Sequence, residues 1–361
     1  MLHATIKNFS YTKYLKEELK TCDFTDINAL PSKCLINFND KTFALSKWVS
    51  PKRTRSYPYA RVYDTFSSSA SKITTIIPLI KDEGINGDMD YLQWDTISLM
   101  SLLNVYVILG YYDKAESHPH NSDKITNQQF NNDYIKQQLH KLSNYHQSAL
   151  HWNLNQLERD NLSKLIGLVK TSYNGIAKEL KCTLHNHKNI DTFATKISQT
   201  KESFMQFSRT KAQMAQNRES LTIQPKEQIG IGQKSKIMIE NYLGGQYFFT
   251  IDDVLLHNDT FYICESKHSK NALLPSSDDI KDGLLKLMLY NNIDSLQGHT
   301  NFTVVLRLTS SILQGGIKLP NNNIESFLQN NAFTKTQNKL LQDLNAEAKE
   351  NNFAVWINND V

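Results

Sequence analysis

The stretch Phe249 to Lys270, FTIDDVLLHNDTFYICESKHSK, constrains this chain more than any other. It reads as two short strands joined by a polar turn at His257, Asn258, Asp259 and Thr260. The first strand carries Asp252 and Asp253, and the second carries Glu265 and Lys267. Strand side chains alternate faces, so Glu265 and Lys267 project side by side. A carboxylate from the paired strand joins them. A two- or four-residue turn centred on Asn258 and Asp259 sets Asp252 opposite Glu265, whereas a bulge or an odd-numbered turn brings Asp253 round instead. The sequence leaves both open. Two carboxylates make an oxygen-rich site for a hard divalent cation such as Mg²⁺. A lysine beside them orients a water or stabilises a pentavalent phosphate. The combination suits metal-assisted phosphodiester hydrolysis.

The neighbouring sequence supports this reading. Phe261, Tyr262, Ile263 and Cys264 form a continuous apolar run into Glu265, as in a strand buried on both faces. A charged Glu-x-Lys at the end of such a strand is costly unless it is paired or metal-bound. After Pro275 comes SSDDIKDGLLKLMLYNN, with Ser276 or Ser277 as the cap and Asp278 and Asp279 in the first turn. Ile280, Leu284 and Leu287, with Met288 or Leu289, give a helical stripe. Phe302 to Leu308, FTVVLRL, reads as another buried strand. Upstream, Lys234 to Leu243 (KSKIMIENYL) is expected to form a short helix holding Glu240.

Taken in order these are helix, strand, strand with Asp, strand with Glu-x-Lys, helix, strand. From Pro225 to Ser311 the chain resembles the PD-(D/E)XK nuclease superfamily and, within it, the type II restriction endonucleases. The resemblance implies an α/β (α+β) fold: a restriction-endonuclease-like αβββαβ core with a mixed sheet, plus a helical subdomain. It implies Mg²⁺ as cofactor and double-stranded DNA, cut at a specific site, as substrate. Glu265 and Lys267 match the signature's second acid and its lysine. Asp252 or Asp253 matches the first acid, although no Pro precedes either. Glu240 corresponds to the accessory acid that some members supply from the preceding helix; a solvated helix residue is the plainer reading. His268, Lys270 and Lys281 are candidates for contacts near the scissile phosphate. Palindromic sites favour a two-fold homodimer, and a restriction enzyme implies a cognate DNA methyltransferase. The rival readings are a repair or recombination nuclease without sequence specificity, and a non-catalytic nucleic-acid-binding protein on a nuclease fold.

Elsewhere the chain is less specific. A formal charge of +4 permits nucleic-acid binding without demanding it. Cys22, Cys34, Cys182 and Cys264 are far apart in sequence and form no C-x-x-C pair, as expected of reduced thiols in a bacterial cytoplasmic protein. No apolar run approaches the ~20 residues of a membrane span. Composition sets an N-terminal α/β region (1–115), a candidate for DNA recognition, apart from a mainly helical region (116–225), and the resemblance implies a nuclease core with its extension in 226–361.

In the first region, Lys72 to Ile80 and Val105 to Tyr111 read as buried strands flanking a helix at Tyr91 to Leu103, a right-handed crossover. The loop between carries Asp82, Glu83, Asp88 and Asp90. It reads as a strand-to-helix connection with capping acids, or alternatively as an active-site loop. Ser50 to Tyr63 interleaves Lys52, Arg53, Arg55 and Arg61 with tyrosines. Its two prolines suggest an extended loop that either touches DNA or is ordinary basic surface. His185-Asn186-His187 spells HNH in three consecutive letters, unlike the dispersed nuclease signature. Ile229 to Ser235 (IGIGQKS) lacks the Gly-Lys-Ser/Thr of a P-loop. The tail from Asn321 reads as a polar helix ending in an edge strand, FAVWI.

Overall fold

The computed structural model describes residues 1–52, 57–199, 205–206, 210, 233–299 and 301–359. The chain folds as a mixed α+β protein with two compact units, Met1–Glu18 with Lys211–Val361 and Leu19–Thr210. The division is thus twofold rather than the threefold one suggested by composition. The first 18 residues belong with the C-terminal unit. No helix among the described residues is long and apolar enough to cross a membrane.

The unit holding the hairpin is built on an eight-stranded mixed sheet. Its strands are β1 (Leu2–Ile6), β11 (Gln233–Asn241), β12 (Gln246–His257), β13 (Thr260–Ser269), β14 (Ser295–Leu296), β15 (Phe302–Ser310), β16 (Ile317–Leu319) and β17 (Ala354–Ile357). Their order is β14-β1-β11-β12-β13-β15-β17-β16. β11, β12 and β13 form an antiparallel meander, and β13, β15 and β17 run parallel. Helix α7 (Ser277–Tyr290) connects β13 to this parallel half and packs on both β13 and β15. Helices α8 (Ile324–Gln329) and α9 (Lys335–Glu350) precede β17.

Two expectations change here. Lys234 to Leu243 supplies a strand, not a helix. Ile237 and Ile239 are buried while Met238 between them is only half-buried, which is the period of two that β-branched residues favour. FAVWI is not an edge strand: β17 lies between β15 and β16.

The N-terminal segment is tied down by side chains that replace a missing strand partner. Fully buried Glu347 of α9 accepts hydrogen bonds from Tyr11 Oη at 2.7 Å and from the backbone N–H groups of Tyr14 and Leu15 at 2.8 Å. Asn351 accepts from Thr12 N and donates to Thr12 O, each at 2.8 Å. Buried backbone polar groups must find such partners.

The other unit carries a five-stranded sheet, β2 (Thr21–Asp23), β3 (Lys33–Phe38), β4 (Lys41–Lys47), β5 (Lys72–Pro78) and β8 (Tyr106–Gly110), in that spatial order. β5 and β8 are parallel and joined through α2 (Trp94–Leu102), as the strand–helix–strand pattern predicts. Ser50 to Tyr63 is not extended throughout: α1 (Pro58–Thr65) starts on Pro58, which loses nothing at a first-turn position. Two hairpins are added, β6 (Ile80–Asp82) with β7 (Met89–Tyr91) and β9 (Tyr112–His118) with β10 (Asn121–Phe130). The second hairpin occupies sequence expected to be helical. Only Ile125 and Phe130 of β10 are buried, so its hydrophobic signal is thin. Helices α3 (Asn132–Ser143), α4 (Ala149–Gln156), α5 (Arg159–Leu180) and α6 (His187–Gln199) follow. Ile36, Phe43, Ile76 and Ile108 of the sheet pack with Leu139 of α3 and Trp152 of α4.

Candidate active site

The turn between β12 and β13 has two residues. Asn258 and Asp259 adopt φ of 47° and 58°, a left-handed pair that Asn and Asp tolerate and that suits a tight hairpin. His257 pairs with Thr260, and the ladder runs without a shift to Asp253 opposite Cys264. One residue further, that register sets Asp252 across from Glu265. The ladder stops there, while β13 stays paired with β15 as far as Ser269. At this end Asp252 Oδ2 accepts the Ser266 N–H at 3.0 Å, a backbone donor that the ladder no longer serves.

Alternation puts the two aspartates on opposite faces. Asp253 shares its face with Cys264, Ser266 and Arg307. It accepts from Ser266 Oγ at 3.0 Å and lies 3.8 Å from Arg307 Nη1. Asp252, Glu265 and Lys267 occupy the face covered by α7. A Cβ on Gly283 of that helix would come within 2.9 Å of Leu306 Cδ1, 3.3 Å of Lys267 Cε and 3.5 Å of Glu265 Cγ. The glycine is what lets the helix press onto the site.

The helix brings two charged residues that the hairpin sequence does not announce. Lys286 Nζ lies 2.8 Å from Glu265 Oε1, and Lys267 Nζ lies 3.1 Å from the same oxygen. Lys267 is also 3.1 Å from Asp282 Oδ2. Lys286, Glu265, Lys267 and Asp282 thus form a chain of alternating charge. Glu265 has no solvent exposure at all. Burial pulls the Lys267 ammonium toward neutrality, but Glu265 and Asp282 outweigh that, and its pKa stands above the ordinary lysine value. Its two carboxylate neighbours thus favour the charged form of Lys267.

No local pattern announces Lys286; the burial of its helix does. Ser276 caps α7 by accepting from Asp279 N at 3.1 Å, and every residue from Ile280 to Tyr290 except Asp282 is buried. A helix buried all round, rather than along a stripe, has no solvated face for a lysine. Each lysine within it must meet a carboxylate.

Other candidates fall elsewhere. Glu240 is exposed near the far end of β11, paired with Gln246. It lies six residues along β12 from Asp252, roughly 20 Å at the rise of a strand, so it is no accessory acid to this cluster. Lys281 is buried in an ion pair with Glu17. His268 falls on the Asp253 face, where its Nδ1 is 3.0 Å from Thr309 Oγ1. Lys270 is exposed just beyond β13. In the other unit Lys52 pairs with buried Asp90, and Arg61 donates from Nη1 to Lys47 O at 2.6 Å. Arg53 and Arg55 lie outside the described residues.

The acidic stretch Asp82 to Asp90 is the β6–β7 hairpin rather than a strand-to-helix loop. Its carboxylates have separate partners. Asp82 accepts from Gly84 N at 2.9 Å and from His185 N at 3.0 Å, and lies 2.7 Å from His185 Nδ1. Glu83 is 2.9 Å from Lys81 Nζ, and Asp90 accepts from Ser50 Oγ at 2.7 Å. Among the described residues no three His, Cys, Asp or Glu side chains gather as a ligand set. Mg²⁺ needs fewer, because it keeps several waters and is commonly held by one or two carboxylates with substrate phosphates. Asp252 and Glu265, both oxygen donors on one face, fit that requirement. Comparison of the chain with family models, curated proteins and solved structures finds no match.

Proposed function

We propose that this protein is a Mg²⁺-dependent DNA endonuclease of the PD-(D/E)XK type, acting as a type II restriction enzyme. The observation that carries this is the convergence of Asp252, Glu265 and Lys267 on one face, where β12 and β13 part. Supporting it, the three strands form an antiparallel meander, and a helix then leads to a strand parallel with β13. That order is the one expected for the βββαβ portion of the core that the resemblance implies, and it supports the reading without deciding it.

Asp252 and Glu265 would hold the cation, which supplies Lewis-acid activation of water and charge neutralisation at the phosphate. Lys267 stays charged and stabilises negative charge as it builds on the phosphorane oxygens, the moment at which a preorganised cation is most effective. Asp282 is a second carboxylate partner of Lys267. Ser266 fixes Asp252 through its backbone N–H. Asp253 has no part in this face; it ties β12 to β15 through Arg307.

The test is direct. Purified protein is incubated with phage DNA and Mg²⁺ and the products are run on a gel. Discrete fragments are expected. A smear would replace the reading with a non-specific nuclease, and uncut but shifted DNA with a non-catalytic binding protein. Discrete cutting also predicts that DNA methylated by the cognate methyltransferase is spared.

A further inference from the structure

Glu265 Oε1 is approached by two ammonium groups, from Lys267 at 3.1 Å and from Lys286 at 2.8 Å. Lys267 has a second carboxylate, Asp282, to share its charge. Lys286 makes the shorter contact with Glu265, from a helix with no solvated face and held close by Gly283. One lysine is enough to pair a carboxylate, so the second calls for an explanation.

We infer that Lys286 is the site's built-in counter-ion: it occupies Glu265 while no divalent cation is bound and is displaced when one binds. This rests on the proposed nuclease reading and adds regulation to it. A buried carboxylate without a neutralising charge is costly. Lys286 offsets that cost and holds Glu265 in place beneath α7. The same charge opposes an arriving divalent cation, because like charges a few ångströms apart repel in a medium of low effective dielectric. The cation must therefore displace Lys286 from Oε1, and its affinity for the protein alone is kept low. DNA supplies the remaining drive through its phosphate oxygens, which are both cation ligands and an anionic partner for the released ammonium. Cation and DNA binding are thereby coupled, and each strengthens the other by the same factor. Lys286 acts on the cation only through Glu265, and meets the substrate only as the partner of its released ammonium.

The experiment measures cation binding, not cleavage. Calcium is titrated into the DNA-free protein by calorimetry, alongside Lys286→Gln, which keeps a donor for Glu265 but drops the charge, and Lys286→Arg, which keeps the charge. Lys286→Gln should bind Ca²⁺ at least about tenfold more tightly than the parent, a small part of the Coulomb effect of one charge at close range. Lys286→Arg should remain near the parent. Equal or weaker binding by Lys286→Gln overturns the counter-ion role. Thermal melts in EDTA and in Ca²⁺ cover the case of a weakened fold. Lys286→Gln should melt below the parent in EDTA and regain most of the difference in Ca²⁺. A variant unfolded in both overturns the inference, because a displaceable counter-ion is dispensable once the cation is bound. If neither parent nor Lys286→Gln binds Ca²⁺, with or without DNA, the nuclease reading itself falls and the inference with it. If the parent binds Ca²⁺ with DNA and the variant does not differ from it, the inference alone falls.

Discussion

The hairpins β6–β7 and β12–β13 are both rich in acids, and of the two only β12–β13 gathers its charges. In β6–β7, Asp82, Glu83 and Asp90 each turn to a separate local partner: His185, Lys81, and Ser50 with Lys52. These contacts hold loops in place. In β12–β13, two strands and a helix direct Asp252, Glu265, Lys267, Lys286 and Asp282 toward one side of the sheet. Acid content is similar in the two hairpins. What separates them is whether a third element closes over one face and brings opposite charge to the same oxygen. A cluster of acids in a sequence is therefore a poor marker of chemistry, whereas buried acids and lysines held in common are a better one.

The largest expected effect is at Glu265. Glu265→Gln should lower DNA cleavage by at least about a thousandfold, as loss of a central electrostatic group does. Asp82→Asn should leave cleavage within a few-fold of the parent. Equal losses from both would erase the distinction between the hairpins.

Lys267→Ala comes next. Cleavage should fall by about a hundredfold or more, while DNA affinity measured in Ca²⁺ stays within about tenfold. Charge on the phosphorane develops only in the transition state, so a group that stabilises it acts on rate. A variant that binds DNA poorly but cuts normally when saturated would make Lys267 a simple phosphate contact, with a salt dependence reduced by roughly one unit of slope.

The two adjacent aspartates give a sharper and smaller contrast. Asp252→Asn should reduce cleavage by about a hundredfold. Asp253→Asn should reduce it only a few-fold, with its main effect on stability, because its contacts to Ser266 and Arg307 lie on the opposite face. Comparing cleavage rate with melting temperature in the two variants tests the register. A reversed pattern would mean the hairpin is shifted by one residue.

Asp82→Asn should instead show in stability, by about 1–3 kcal/mol, because it weakens buried charge-assisted contacts to His185 and Gly84. Chemical denaturation followed by a probe in the Leu19–Thr210 unit measures this. No change would mean these contacts do not anchor the hairpin.

The smallest effect is a pH dependence. Buried Lys267 meets carboxylates and is held charged, whereas Lys47 donates to the carbonyls of Ile27 and Leu30, each at 2.6 Å. Carbonyl dipoles do not offset the burial, and the Lys47 pKa falls to about 8. Between that value and the ordinary lysine range the unfolded chain binds a proton that the folded chain does not, so stability rises with pH. Cys34 acts in reverse at higher pH. Burial, with the neighbouring Cys22 thiol, pushes its pKa up to about 11, so stability is lost as pH rises from the ordinary thiol value toward that one. Melting temperature should accordingly rise from about pH 8 to 9 and flatten above. Lys47→Met should abolish the rise, and a parent that shows no rise would contradict the assignment.

Much of the site was legible because it is local. A polar Asn258-Asp259 turn between two apolar runs predicts a hairpin, and alternation then aligns Glu265 with Lys267. The strand–helix–strand unit around α2 and the cap of α7 were readable for the same reason. Misreadings occurred where the local pattern was weak or short. Lys234 to Leu243 suits a helix by composition and a strand by alternation, and only pairing with β1 and β12 decides between them. β10 carries too few apolar residues to announce a strand.

The sequence by itself determined the chemistry available to this protein: two adjacent aspartates, a Glu-x-Lys pair, and a turn able to bring them together. Tertiary structure decided which of those groups meet. A two-residue turn, with left-handed φ at Asn258 and Asp259, sets the register that puts Asp252 rather than Asp253 on the face of Glu265. Burial of α7 from Ile280 onward, with Gly283 allowing close approach, carries Asp282 to Lys267 and Lys286 to Glu265 across 15 and 21 positions of sequence. Such long-range meetings depend on the packing of helix against sheet, and no local pattern in the chain encodes them.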